Sequence, residues 1–283
     1  MENAAHGESL DREVYRTPLT VQPQFEFRVT PENYRRSYFG PGRVPDQIKV
    51  WRVQNTQRGN VVARGYGFED SPDAEIIAVG FNHGKAYGDV GIGRQANILQ
   101  WGYSDPPSQM TEAGRRLFIN CIHYVRRFEG KTPLVRPRAS GRCNALLMAS
   151  YLKIIKDKRD FFTRAFPDEL WEKYQSDFDG LLAYYKENLE RVYSERIYRV
   201  DNELKSLGLD SNRKVETLQR LIDLLGDEQR AGTAKKLLSR YTDQSFGTPQ
   251  QWRQWFDESK GRLYFTDIGG YKFKVVPEGY LAK

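Results

Sequence analysis

The chain has 283 residues, 44 Lys and Arg against 37 Asp and Glu, a formal net charge of +7, and 39% hydrophobic, 13% aromatic and 29% charged residues. That composition is globular and the length suits two domains. The basic excess is interleaved with acids nearly everywhere outside Arg126 to Arg142, so nucleic acid is not an expected partner. The longest apolar run, Ala145 to Ile155, is interrupted by Ser150 and Lys153 and is too short to span a membrane. Two cysteines and three scattered histidines supply neither a disulfide framework nor a metal site, and no cofactor is expected. The polar, acidic start MENAAHGESLDREVYRTP lacks a secretory pattern and places the chain, as written, in the cytoplasm. If the chain belongs to a longer precursor, the periplasm is open to it.

Residues 1–45 contain prolines and no convincing period and are read as an extended arm. An α/β part follows over 46–130. Gln47 to Gln54 and Glu75 to Val79 have strand character, the latter after the turn Asp70-Ser71-Pro72-Asp73. Gly80 to Gly93, with repeated glycines, must make tight turns or a hairpin, but lacks the spacing of a phosphate loop. After the basic turn Gly91-Ile92-Gly93-Arg94, the apolar run Ile98 to Tyr103 reads as a buried strand. Thr111 then caps a helix whose Leu117, Phe118, Cys121, Ile122, Val125 and Phe128 share one face. This strand, loop and helix read as half of a βαβ unit.

Residues 131–143 form a Pro-, Gly- and Arg-rich linker to a mainly helical domain, 144–283. Helical patterns cover Asn144 to Ile155, Pro167 to Tyr193 with a break near Asp179-Gly180, Val215 to Leu225 and Ala231 to Tyr241, the last two read as an antiparallel pair. Thr248-Pro249 opens a helix bearing Trp252, Trp255 and Phe256. Leu263 to Phe265 and Tyr271 to Val276 flank Asp267-Ile268-Gly269-Gly270 as a closing hairpin.

Two resemblances attach to these residues. Gly91-Ile92-Gly93-Arg94 before a strand, with Leu117, Asn120, Ile122 and Tyr124 on the following helix, resembles the end of the trehalose-utilisation (ThuA-like) family, a branch of the class I glutamine amidotransferase-like fold. The resemblance implies a partial amidotransferase-like sheet with a closing helix and carbohydrate-related chemistry. The family's Gly-His-Asp stands here as Gly102-Tyr103-Ser104-Asp105, without the histidine, and the few residues upstream imply a reduced version of that domain. The second stretch, Ala234 to Phe256, resembles the last unit of HEAT-like helical repeat proteins. It implies a scaffold face built on Leu237, Leu238 and the tryptophans.

Candidate chemistry is sparse. Cys143 opens a helix, where a thiol gains nucleophilicity, and is a candidate nucleophile; Cys121 sits on an apolar helix face and reads as core. His83 is a candidate base or loop ligand, beside Asn82 and Lys85 in the glycine-rich loop; Arg94 lies in the basic turn. Asp105 follows the carboxyl end of the Ile98 strand, where it either binds a ligand hydroxyl or caps the turn. His123 reads as structural. Tyr264, Phe265, Tyr271, Phe273 and Tyr280 either stack on sugars or pack against helices.

No nucleophile, base and orienter set can be assembled, so the leading expectation is a non-catalytic binding or assembly module with a protein or carbohydrate-related partner. The alternatives are a carbohydrate-related hydrolase or a remnant of one, by family analogy, and a polyanion-binding protein using Arg126, Arg127, Lys131, Arg136, Arg138 and Arg142.

Overall fold

The computed structural model describes residues 3–7, 10–39, 42–57, 63, 65, 68, 70–82 and 84–281. The chain divides into two compact units, Met1–Glu69 with Asp73–Leu134, and Asp70–Pro72 with Val135–Lys283. The first is α/β and the second mainly helical with a closing β-hairpin, the fold class expected from sequence.

In the first unit, β1 (Ala4–His6), β2 (Phe25–Val29), β3 (Gln47–Arg52), β4 (Ala74–Phe81), β5 (Val90–Gln95) and β6 (Ile98–Trp101) form one sheet in the order β2-β3-β1-β4-β5-β6. Every neighbouring pair is antiparallel. The expected half of a βαβ unit is therefore corrected: β6 pairs antiparallel with β5 at the sheet edge, and no parallel strand completes it among the described residues. Ile98, read as part of a buried strand, is 57% exposed for the same reason.

Residues 1–45, expected as an extended arm, supply β1, β2 and the helix α1 (Glu32–Ser37). The three residues of β1 lie between β3 and β4. Ala4 pairs with Arg52 on one side and Phe81 on the other, and Ala5 with Trp51 and Gly80. Small side chains suit this position because both sheet faces are covered. On one face Ala5 joins Trp51, Ile77, Ile92, Leu117 and Cys121; on the other Ala4 joins Tyr34, Ile48, Val50 and Phe81.

Gly91 to Arg94, read as a turn, lies within β5. The glycines serve close packing: a Cβ on Gly91 would come within 2.9 Å of the Gly80 Cα, and one on Gly93 within 2.8 Å of the Phe68 ring. The turn falls after the strand, where Ala96 adopts φ +47°.

Helix α2 (Glu112–Arg126) covers the Trp51 face. Thr111 caps it, its hydroxyl accepting from the Gly114 N–H (3.0 Å) and donating to the Arg52 carbonyl (2.8 Å). Gly114 lets the first turn approach β3 closely, since a Cβ there would lie 1.9 Å from the Val53 carbonyl oxygen. Asn120 is fully buried and clamps residues 14–19: its amide donates to the Val14 (2.8 Å) and Leu19 (2.6 Å) carbonyls and its oxygen accepts from the Leu19 N–H (2.9 Å).

The second unit contains α3 (Cys143–Tyr151), α4 (Lys158–Ala165), α5 (Trp171–Tyr174), α6 (Phe178–Glu187), the hairpin β7 (Val192–Ser194) and β8 (Tyr198–Val200), then α7 (Asn202–Ser206), α8 (Val215–Asp223), α9 (Ala231–Tyr241), α10 (Pro249–Ser259) and the closing hairpin β9 (Leu263–Thr266) and β10 (Lys272–Val275). The helical pattern over Pro167 to Tyr193, expected to break near Asp179-Gly180, breaks between Tyr174 and Phe178. Asp177 caps the new helix there, its carboxylate accepting from the Gly180 N–H (2.8 Å), and the end of the pattern passes into β7. Leu218, Leu221, Leu237, Leu238, Trp252 and Phe256 bury one shared core beneath α8, α9 and α10. Thr248 and Gln251 form a reciprocal capping box on α10.

Candidate functional site

The structure distributes the candidate residues rather than gathering them. Asn82 is buried just after β4, where its side-chain oxygen accepts from the Gly84 N–H (2.8 Å) and its carbonyl from the Lys85 N–H (3.1 Å). Asn82 and Lys85 thus meet in one turn, and His83 lies outside the described residues. Arg94 is buried in β5. It donates to the Glu75 carboxylate (2.6 Å) and to the carbonyls of Asp73 (3.2 Å) and Ala96 (2.9 Å), with its guanidinium 3.6 Å from the Phe128 ring centre.

Asp105 is buried at 3% exposure. Its carboxylate accepts from the Thr56 hydroxyl (2.6 Å) and N–H (3.1 Å), while its own N–H donates to Gln54 (3.1 Å). It holds the 54–56 corner against the loop after β6. Cys143 is half-buried at the first turn of α3. Burial pushes the Cys121 thiol up to about 12, so it is a neutral core group. Among the described residues, no group of three or more His, Cys, Asp or Glu is placed to hold a metal ion, and no helix is long and apolar enough to cross a membrane.

Arg142, which sequence placed among the basic residues of a polyanion surface, is only 3% exposed. Its guanidinium meets the Asp267 carboxylate at 2.6 and 2.8 Å and also donates to Asn212 (3.0 Å) and the Leu189 carbonyl (3.1 Å). Arg127, from the same run, pairs with Glu13 (2.6 Å). Beside Arg142, Asp70 accepts from the Asp267 N–H (3.0 Å), and burial together with the Asp267 charge pushes its carboxyl up to about 6.

Two other features are open to solvent. In the second unit, Tyr184, Tyr193, Arg199, Glu203, Lys236 and Arg240 line a pocket of about 300 Å³. The first unit carries an uncovered edge at β2. There Phe25, Phe27 and Val29 are 40%, 67% and 74% exposed, along one face of the strand. Next to Phe25 a groove of about 520 Å³ is lined by Gln22, Gln24, Arg52, Asn55 and Glu112.

The ladder fixes which main-chain groups of β2 face outward. On β3, the Lys49 carbonyl accepts from Gly7 (2.8 Å) and the Val53 N–H donates to Asn3 (2.9 Å), so odd residues bond to β1. The Thr30 N–H donates to Asp46 (3.0 Å), so even residues of β2 bond to even residues of β3. By antiparallel alternation, the N–H and C=O groups of Phe25, Phe27 and Val29 point away from the sheet. Among the described residues none of these six groups has a partner. The sequence carried a signal for this strand in the alternation of Phe-Glu-Phe-Arg-Val, which lies inside the segment read as an arm.

No family model matches this chain, and no curated protein and no solved structure matches it.

Proposed function

We propose that the chain is a non-catalytic binding and assembly module that takes up an extended partner segment along β2. The observation that carries this reading is the outward row of main-chain groups, without partners among the described residues, that coincides with the exposed row Phe25, Phe27 and Val29. An open edge supplies hydrogen bonds for an added strand, and alternate apolar side chains supply contact area. The test is an array of extended peptides probed with the full chain. Peptides with alternating apolar residues are expected to bind, and Phe27→Pro, which deletes one outward N–H without touching the β3 ladder, is expected to abolish binding. An array without binders, or binding indifferent to Phe27→Pro, overturns the reading.

A second reading, recognition of a carbohydrate-related small molecule, is supported by the pocket of Tyr184, Tyr193, Arg199, Glu203 and Arg240, since aromatic faces beside charged hydrogen-bonding groups suit sugar rings. Titration of a monosaccharide panel followed by NMR tests it: shifts at the pocket that vanish in Tyr193→Ala support it, and an unchanged spectrum rejects it.

A further inference from the structure

The partner segment can be specified, because the sequence of β2 complements itself. In antiparallel pairing two copies of Phe25-Glu26-Phe27-Arg28-Val29 must place outward-bonding residues opposite each other, and the register centred on Phe27 does so along the whole strand. Phe27 then faces Phe27 of the second copy, and Phe25 faces Val29. About six main-chain hydrogen bonds form between these three pairs, using the outward groups of Phe25, Phe27 and Val29 on both edges.

The same register puts Glu26 opposite Arg28 twice, at the non-hydrogen-bonded positions where side chains approach most closely. Both residues project to the same side of the strand, where Arg28 already reaches Glu26 and Asn3. Charge, apolar contact and hydrogen-bond parity therefore select one register, and a two-fold arrangement lets one strand supply both halves of the contact. Resting on the reading of β2 as a docking edge, we infer that this edge pairs with β2 of a second copy of the chain, joining two six-stranded sheets into one.

Sedimentation velocity of the full chain over a range of concentrations tests this. The chain is expected to dimerise. Glu26→Arg and Arg28→Glu each set like charges opposite one another at two symmetric positions and are each expected to raise the dissociation constant by about tenfold or more. Mixing these two variants restores complementarity at every position, so the mixture is expected to associate as well as the unaltered chain. Phe27→Cys, on the two-fold axis with Cα atoms about 5.5 Å apart, is expected to oxidise to a disulfide-linked dimer. A chain that is monomeric throughout, a dimer indifferent to both charge variants, or variants whose mixture fails to associate overturns the inference. If array peptides still bind and are lost in Phe27→Pro, the docking edge stands and only its occupant is wrong. If neither peptide nor second copy binds, both fail.

Discussion

His6 in the sheet unit and Arg142 in the helical unit show two opposite ways of burying a polar group. In the sheet unit His6 is 1% exposed among Tyr34, Phe81 and Tyr87, and neither ring nitrogen has a hydrogen-bond partner among the described residues. Burial lowers its pKa from the ordinary 6.5 to about 4, so it is neutral at pH 7. In the helical unit Arg142 is buried as a charge, and Asp267, Asn212 and the Leu189 carbonyl surround its guanidinium. A group that can shed its charge tolerates an apolar cage; one that cannot must be buried with its acceptors.

The largest expected effect breaks the charged centre. Arg142→Met leaves Asp267 buried without its counterion and is expected to destabilise the helical unit by about 3–5 kcal/mol, read as accelerated amide exchange in α9. Restoration of slow exchange by the double change Arg142→Met with Asp267→Leu would identify the loss with the unpaired carboxylate. Next is acid. Because the unfolded chain protonates His6 near pH 6.5 and the folded chain only near 4, stability of the sheet unit is complete above pH 6.5 and falls as pH drops through this window, by about 3 kcal/mol. His6→Phe is expected to flatten that fall in a series of pH-dependent denaturant melts.

Asp70 gives the helical unit the opposite slope. Its folded pKa is about 6 against an ordinary 3.8, so the unfolded chain loses the proton first and stability declines as pH rises from about 4 to 6. Asp70→Asn, which keeps an acceptor for the Asp267 N–H, is expected to gain about 1–2 kcal/mol at pH 7, after allowance for solvent screening, and nothing at pH 3.5. Equal gains at both values would refute the electrostatic origin. The smallest effect is local: Thr248→Ala removes the α10 cap and is expected to cost about 1 kcal/mol, seen as fraying of that helix by amide exchange.

Legibility in the sequence follows how locally each element is determined. Helices α2, α8, α9 and α10 announce themselves through apolar period and caps at Thr111 and Thr248, and the closing hairpin through Asp267-Ile268-Gly269-Gly270. The sheet was harder. Ala4–His6 is too short to show alternation, and its strand character comes entirely from neighbours at β3 and β4. Gly91 and Gly93 have the composition of a turn but serve close packing within a strand. The same limit applies to the candidate residues: Arg94 and Asp105 carry the right chemistry for a ligand, yet Glu75 and Thr56, far along the chain, occupy them. Composition marks a residue as polar; only the fold says which partner reaches it first.

The position of β1 also bears on how the sheet assembles in time. Ala4 pairs with residues 52 and 81, and among the described residues no other strand bridges β3 to β4. Until this tripeptide docks, the β2–β3 pair and the β4–β6 ribbon share no strand ladder among the described residues, and contacts that join them, such as Thr56 with Asp105 and Thr111 with Arg52, lie at or beyond the strand ends. Two long loops must close around three residues, an entropic barrier that local contacts do not lower. Sheet closure is thus expected to be the slow, all-or-none step of folding in this unit. The β2 edge becomes a fixed extension of the β4–β6 ribbon only once that step is complete.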